Sequence, residues 1–282
     1  MRAFIFTILL FVGYLGFSQI NTPRFSPATE IKQMVGLTEI AVKYSRPSMR
    51  GRDIFGNLVP YGKIWRTGAD SSTKISFSTD VMIDGKPIKS GTYSVFSIPS
   101  KNNWVLMLYS DVDLWGVPRD WSDDKIVFSS TYQINKINQP VESFSISFDD
   151  LSNNDVNMSL SWEYTSIDVR INVPTRSMVE MNINDVLSNN PKASDYYAAA
   201  VFYRQENIKL DLALSWMNKA IEMFETPRFY HYRQQSLLMA ANNKFSDAVN
   251  AAKKSLDDAV ASDNMSYVKM NKESIAEWSK KL

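Results

Sequence analysis

The chain has 282 residues, with no cysteine, one histidine, and 31 Lys and Arg against 30 Asp and Glu. Without cysteine it makes neither disulfides nor a thiolate nucleophile, and a single histidine excludes zinc sites built from several histidines or cysteines. Near-balanced charge gives no global attraction to nucleic acid or anionic lipid, and the length suits one large domain or two.

The first residues read as an export signal. Arg2 supplies positive charge, residues 4–15 are almost wholly apolar, and Gly16 and Ser18 place small side chains before a cleavage point after Ser18. A spanning helix needs roughly 20 apolar residues, whereas Gln19, Asn21, Pro23 and Arg24 end this run early, and no later stretch is long and apolar enough to cross a bilayer. Residues 1–18 are therefore a signal peptide, and the mature protein is expected to be exported to the periplasm or the cell exterior, with no membrane span left.

From residue 37 to 173 the dominant period is two. Phe144, Ile146 and Phe148 alternate with serines, Val156, Met158, Leu160 and Trp162 with polar residues, and Ile167, Val169, Ile171 and Val173 likewise. Such alternation marks half-buried strands. Further strands are expected at 38–44, 73–78, 81–83, 92–98 and 104–110, and Asp84-Gly85 suits a tight hairpin turn. Short strands without intervening helical periods predict an all-β antiparallel sandwich over 19–174.

Beyond Pro174 a polar linker is expected over 175–193, followed by good helix formers over 194–282. Shifting that region by 35 residues pairs Tyr197 with Tyr232, Leu210 with Phe245, Ala213 with Ala248, Leu214 with Val249 and Ile221 with Leu256. The spacing is similar to tetratricopeptide repeats. Val201 and Ser236 replace the motif's glycine, so an unrelated array of helical hairpins stays open. The chain as a whole is read as α+β, an antiparallel β-sandwich domain followed by an all-α helical repeat domain.

The catalytic inventory is thin. There is no Gly-x-Ser-x-Gly elbow, no Gly-x-x-x-x-Gly-Lys loop and no Gly-x-Gly-x-x-Gly fingerprint. His231, within Phe229-Tyr230-His231-Tyr232, reads as a packing residue rather than a base. Asp111, Asp113 and Gly116 suggest a calcium loop, but Trp115 stands where that loop needs an oxygen ligand and Ser122 where it needs a bidentate glutamate. Neither a metal nor a cofactor is implied.

The richest segment is basic and turn-rich. Arg46, Arg50, Arg52 and Arg66 stand among Gly51, Gly56, Gly62 and Gly68, with Tyr61 and Trp65 beside them. One reading is a rigid clamp for an anionic ligand, a carboxylate, a sulfate or an acidic sugar, formed by Arg46, Arg50, Arg52, Arg66, Trp65 and Tyr61. Another is neutralisation by the acidic stretch 111–124, which holds Asp111, Asp113, Asp120, Asp123 and Asp124. Trp65, Trp104, Trp115 and Trp121 also permit a carbohydrate-binding module, and the many aspartates permit an envelope carbohydrate or peptide hydrolase with aspartate acid and base. In the helical region Tyr196, Tyr197, Tyr203, Tyr230 and Tyr232 outline a surface for a protein partner.

The runs Tyr44-Ser45-Arg46-Pro47, Gly51-Arg52-Asp53-Ile54-Phe55-Gly56, Leu58-Val59-Pro60-Tyr61-Gly62-Lys63, Trp65-Arg66-Thr67-Gly68-Ala69-Asp70 and Gly91-Thr92-Tyr93-Ser94 closely resemble a bacterial exported family, domain of unknown function 2911. The resemblance spans roughly residues 25–173. It implies an exported β-rich protein, in some members followed by helical repeats, and carries over no activity or catalytic residue. Family members commonly have asparagine where Asp70 stands, so Asp70 is expected to weaken an anion site here. Together these readings favour a non-catalytic ligand-binding or scaffolding protein of the bacterial envelope, with the hydrolase and the carbohydrate-binding module as alternatives.

Overall fold

The computed structural model describes residues 22–282, so the expected signal peptide lies outside the described residues. Two compact units divide between Pro174 and Thr175, and the architecture is α+β. In chain order the strands are β1 (Ala28–Val35), β2 (Thr38–Ser45), β3 (Thr73–Phe77), β4 (Val81–Ile83), β5 (Lys86–Ile88), β6 (Gly91–Pro99), β7 (Asn103–Tyr109), β8 (Ile126–Gln133), β9 (Asn135–Asp149) and β10 (Asp155–Asn172).

They form a six-stranded sheet ordered β1-β2-β3-β6-β7-β8 and a four-stranded sheet ordered β5-β4-β10-β9, with antiparallel pairing throughout. Alternation sends Ile40, Val42 and Ile75 of the first sheet and Phe144, Leu160, Trp162 and Val169 of the second into one buried core. Each such side chain contributes roughly 1.5–3 kcal/mol through removal from water. The β4–β5 hairpin turns on Asp84 and Gly85, at φ 50° and 72° as a two-residue turn of this kind requires.

A seam joins the sheets. After β2 the chain crosses to the edge of β9, where Phe144 N donates to Pro47 O (2.9 Å), Met49 N donates to Glu142 O (2.8 Å), and the hydroxyls of Ser48 and Ser143 meet at 2.7 Å. The Tyr44 hydroxyl spans the same seam and accepts from Ile146 N at 2.8 Å. The buried strand edge is thereby satisfied.

The second unit holds α1 (Thr175–Ser188), α2 (Ala193–Gln205), α3 (Leu210–Met223), α4 (Phe229–Ala241), α5 (Phe245–Ala261) and α6 (Met265–Trp278). The expected linker over 175–193 is thus largely helical. Val179, Ile183 and Leu187 recur four residues apart along α1 and join the core shared with α2 and α3. Positions paired by the 35-residue offset share their burial: Ala213 and Ala248, Leu214 and Val249, and Ala220 and Ser255 are all buried. Ser255 replaces an alanine at no loss, because its hydroxyl donates to Phe229 O and accepts from Asn271 Nδ2, both at 2.7 Å. Among the described residues no helix is long and apolar enough to cross a membrane.

Candidate functional site

Residues 46–72, between β2 and β3, supply most of the candidate site. The loop is pinned to β6 by a reciprocal pair of bonds, Trp65 N to Ser97 O (2.7 Å) and Ser97 N to Trp65 O (2.9 Å). It is pinned to β10 by Glu163, whose carboxylate accepts from Ile54 N at 3.1 Å and Phe55 N at 3.5 Å. Glu163 sits at φ 56° where the β9–β10 register shifts, and a bulge of this kind re-aims a side chain. At Gly68, φ is +153°, and a Cβ would stand 2.9 Å from Thr73 Oγ1 and 3.1 Å from Ser45 O, so only glycine lets the loop lie this close to the sheet.

This scaffold borders an open cleft of about 460 Å³. Arg50, Arg52, Arg66 and Trp65 all line it, joined by Trp162 from β10 and by Phe25 ahead of β1. Each of the three arginines is held by backbone carbonyls. Arg50 Nη2 donates to Phe25 O (2.8 Å), Arg52 Nε and Nη2 donate to Met49 O (2.9 Å) and Ser48 O (2.7 Å), and Arg66 Nη1 donates to Asp70 O (2.6 Å). Among the described residues none of them forms an ion pair with a carboxylate. Carbonyl anchoring fixes a guanidinium in place without cancelling its charge, and most of its five donors stay available.

Two expected members stand elsewhere. Arg46 belongs to the seam, its Nε donating to Phe144 O (3.0 Å) and its Nη2 to Ser145 Oγ (3.4 Å). Tyr61 is partly exposed and lies across Gly56, outside the cavity lining. Trp162 and Phe25 were not singled out from sequence. Trp162 alternates like any core residue, and Phe25 stands alone in a polar stretch, so neither carried a signal.

The acidic stretch pairs with two lysines, Lys74 of the basic stretch and Lys125 just beyond its own end. Asp113 pairs with Lys74 (2.7 Å) and Asp111 with Lys125 (2.8 Å). These bonds, with Ser72 N donating to Leu114 O (3.0 Å), bring Gly116 onto the face of Arg66. A Cβ on Gly116, at φ +99°, would lie 3.1–3.2 Å from the guanidinium atoms. The acidic loop thus walls the arginine without neutralising it. Asp70 is the carboxylate-bearing residue in the cavity lining, held at φ 60°.

Trp104 is fully buried, and Trp65 packs against Trp162 (5.8 Å, stacked), Phe144 and Phe55. Trp121 stacks on Tyr109 at 4.5 Å, while Trp115 is 75% exposed. In the helical unit His231 is a packing residue, stacked on Phe224 at 4.1 Å with its Nδ1 accepting from Arg228 N at 2.9 Å. Burial, aided by the Arg228 charge, holds its pKa below the ordinary value. Tyr196 and Tyr203 are buried, leaving Tyr197, Tyr230 and Tyr232 at least partly open. Among the described residues no three His, Asp or Glu gather as a metal-ligand set.

Neither the curated proteins nor the solved structures contain a match to this chain. A family model described as "Protein of unknown function (DUF2911)" matches residues 26–171, just over half of the chain and nearly all of its sheet unit. On that match, the chain belongs to the DUF2911 family.

Proposed function

We propose that this is an exported, non-catalytic binding protein whose sheet unit takes an anionic small molecule in the cleft of Arg50, Arg52 and Arg66. One observation carries the reading: three guanidinium groups line one cavity of about 460 Å³, each anchored by carbonyl oxygens and none ion-paired. Preorganised, uncompensated donors lower the cost of ordering a ligand. The hydrolase alternative needs two carboxyl groups roughly 5–9.5 Å apart in one cleft. Asp70 stands alone in that role here, while Glu142 and Glu163 are engaged by backbone N–H groups. Export rests on the charged, apolar and small-residue order of residues 1–18 and suits a cysteine-free chain.

The test is calorimetric titration of small carboxylates, sulfate and phosphate into the purified protein and into Arg52→Ala and Arg66→Ala. Binding that weakens by roughly tenfold or more per arginine, and also with rising salt, supports the reading. Absence of binding to every anion, or unchanged affinity in both variants, ends it.

A second reading concerns the helical unit, taken as tetratricopeptide-like and as a docking module for an acidic partner segment. Arg204 donates to Gln234 Oε1 (2.9 Å) and Arg233 to Ser274 Oγ (2.9 Å), and neither forms an ion pair among the described residues. Partial burial holds both below the ordinary guanidinium value, and Arg204 adds repulsion at Arg233. An acidic segment would relieve both penalties. Charge reversal, Arg204→Glu with Arg233→Glu in the full chain, should abolish capture of an envelope partner, and retained capture would refute the docking role.

A further inference from the structure

The cleft is much larger than the head group its arginines would hold. A water occupies about 30 Å³ of liquid, so a cavity of about 460 Å³ has room for some fifteen waters, whereas a carboxylate fills the space of one or two. Beside the arginines the lining carries apolar groups, Trp65, Pro47, Leu58 and Ala69, with the buried Trp162 and Val59 also in the wall. Among the polar side chains there, the Ser48 hydroxyl is already bonded to that of Ser143. At the same cavity Phe25 is 81% exposed and Leu58 45%, and the Arg50 guanidinium lies over the Phe25 ring at 5.2 Å. Exposed apolar side chains rimmed by charge are the mark of a ligand site rather than of an ordinary surface.

We infer that the ligand is an amphiphilic acid, one carboxylate head on an aryl or alkyl body, with the head among Arg50, Arg52 and Arg66 and the body against Trp65, Leu58 and Phe25. This rests on the anion-binding reading above and narrows it. Asp70 in the lining leaves a local excess of two positive charges, which holds an anionic head group. Arginine presents paired donors matched to a planar carboxylate, and a methylene or aromatic body gains affinity from each buried apolar surface element. A free inorganic anion would leave that apolar lining wet.

Four probes separate the possibilities in titrations followed by tryptophan fluorescence and calorimetry: acetate, inorganic phosphate, phenylbutyrate and phenylbutyramide. Phenylbutyrate should bind roughly 30-fold or more tightly than acetate or phosphate, through its buried body. It should also exceed its neutral amide by roughly tenfold, through the charge. Leu58→Asn, at an exposed position, should cut phenylbutyrate affinity several-fold and leave acetate unchanged, with the circular dichroism of the parent. Acetate or phosphate binding as tightly as phenylbutyrate overturns the amphiphile while leaving the anion site standing. The amide binding as tightly as the acid overturns the anion site itself, and binding by none of the four overturns both.

Discussion

Replacing Asp70 with asparagine isolates the electrostatics of the cleft. Asp70 shares the lining with Arg50, Arg52 and Arg66, and its backbone oxygen, not its carboxylate, takes the Arg66 hydrogen bond at 2.6 Å. Its φ of 60° lies in the left-handed region that asparagine adopts as readily as aspartate, so Asp70→Asn should fold with stability within about 0.5 kcal/mol of the parent. A compact cavity of about 460 Å³ has a radius near 5 Å, which puts a bound anion roughly 8 Å from the carboxylate. Like charges at ~8 Å repel by ~2 kcal/mol at an effective dielectric of ~20 and by ~1 kcal/mol at ~40. Removing that repulsion should tighten anion binding by roughly 5- to 30-fold, since ~1.4 kcal/mol is tenfold. Isothermal titration of phenylbutyrate at low salt reads this directly. The gain should shrink toward 1 M salt, where the screening length falls to about 3 Å, and phenylbutyramide should gain nothing. An unchanged or weaker affinity for the acid, or an equal gain for the amide, would refute the placement of the anion beside Asp70.

Other perturbations test the scaffold. Tyr44→Phe removes the hydroxyl that accepts from buried Ile146 N at 2.8 Å and should cost about 1–3 kcal/mol in urea denaturation, because a buried N–H loses its partner; an undiminished midpoint would show that the seam does not depend on it. Gly68→Ala forces a Cβ to 2.9 Å from Thr73 Oγ1 at φ +153° and should cost about 2–4 kcal/mol, seen as a lowered melting temperature; wild-type melting would mean that the loop shifts freely. His231 is held neutral in the fold below its ordinary value of 6.5, so the unfolded chain binds more protons between that value and the folded one. Its contribution is fully present above pH 6.5 and declines as pH falls below, by at most about 1.4 kcal/mol per unit, and His231→Phe, which keeps the stack on Phe224, should remove this part of the acid sensitivity; an unaltered pH profile in the variant would refute it.

Strands with one face buried were legible where the alternation is clean, as β10 shows over Val156, Met158, Leu160 and Trp162 and β9 over Phe144, Ile146 and Phe148. The edge strands β1 and β8 were not. In β1 the inward positions include Thr29 and Gln33 while Met34 points out, and in β8 Val127 is exposed while Ser130 is half-buried. With a neighbour on one side only, such strands tolerate a pattern that alternation cannot detect. The helix α1 escaped for a similar reason: its stripe of Val179, Ile183 and Leu187 is narrow and set among polar residues, which read as a linker.

The arginines show where local sequence stops being informative. Arg46 and Arg66 are alike in charge, near glycines and aromatics, and stand in motifs of equal weight. They part because the chain from Arg46 to Met49 completes the edge of β9, a partner about a hundred residues away, whereas Arg66 lies where the loop has turned back along β6. At the seam Arg46 spends its donors on Phe144 O and the Ser145 hydroxyl, and so becomes structural. An arginine beside a cavity can be steered by a single carbonyl and keep the rest of its donors. Which fate applies depends on where an unpaired strand edge comes to lie, a property of sheet topology. Arg50 divides its roles in the same way: its backbone N–H engages the Glu142 carboxylate at 2.9 Å, while its guanidinium donates to Phe25 O and lines the cleft.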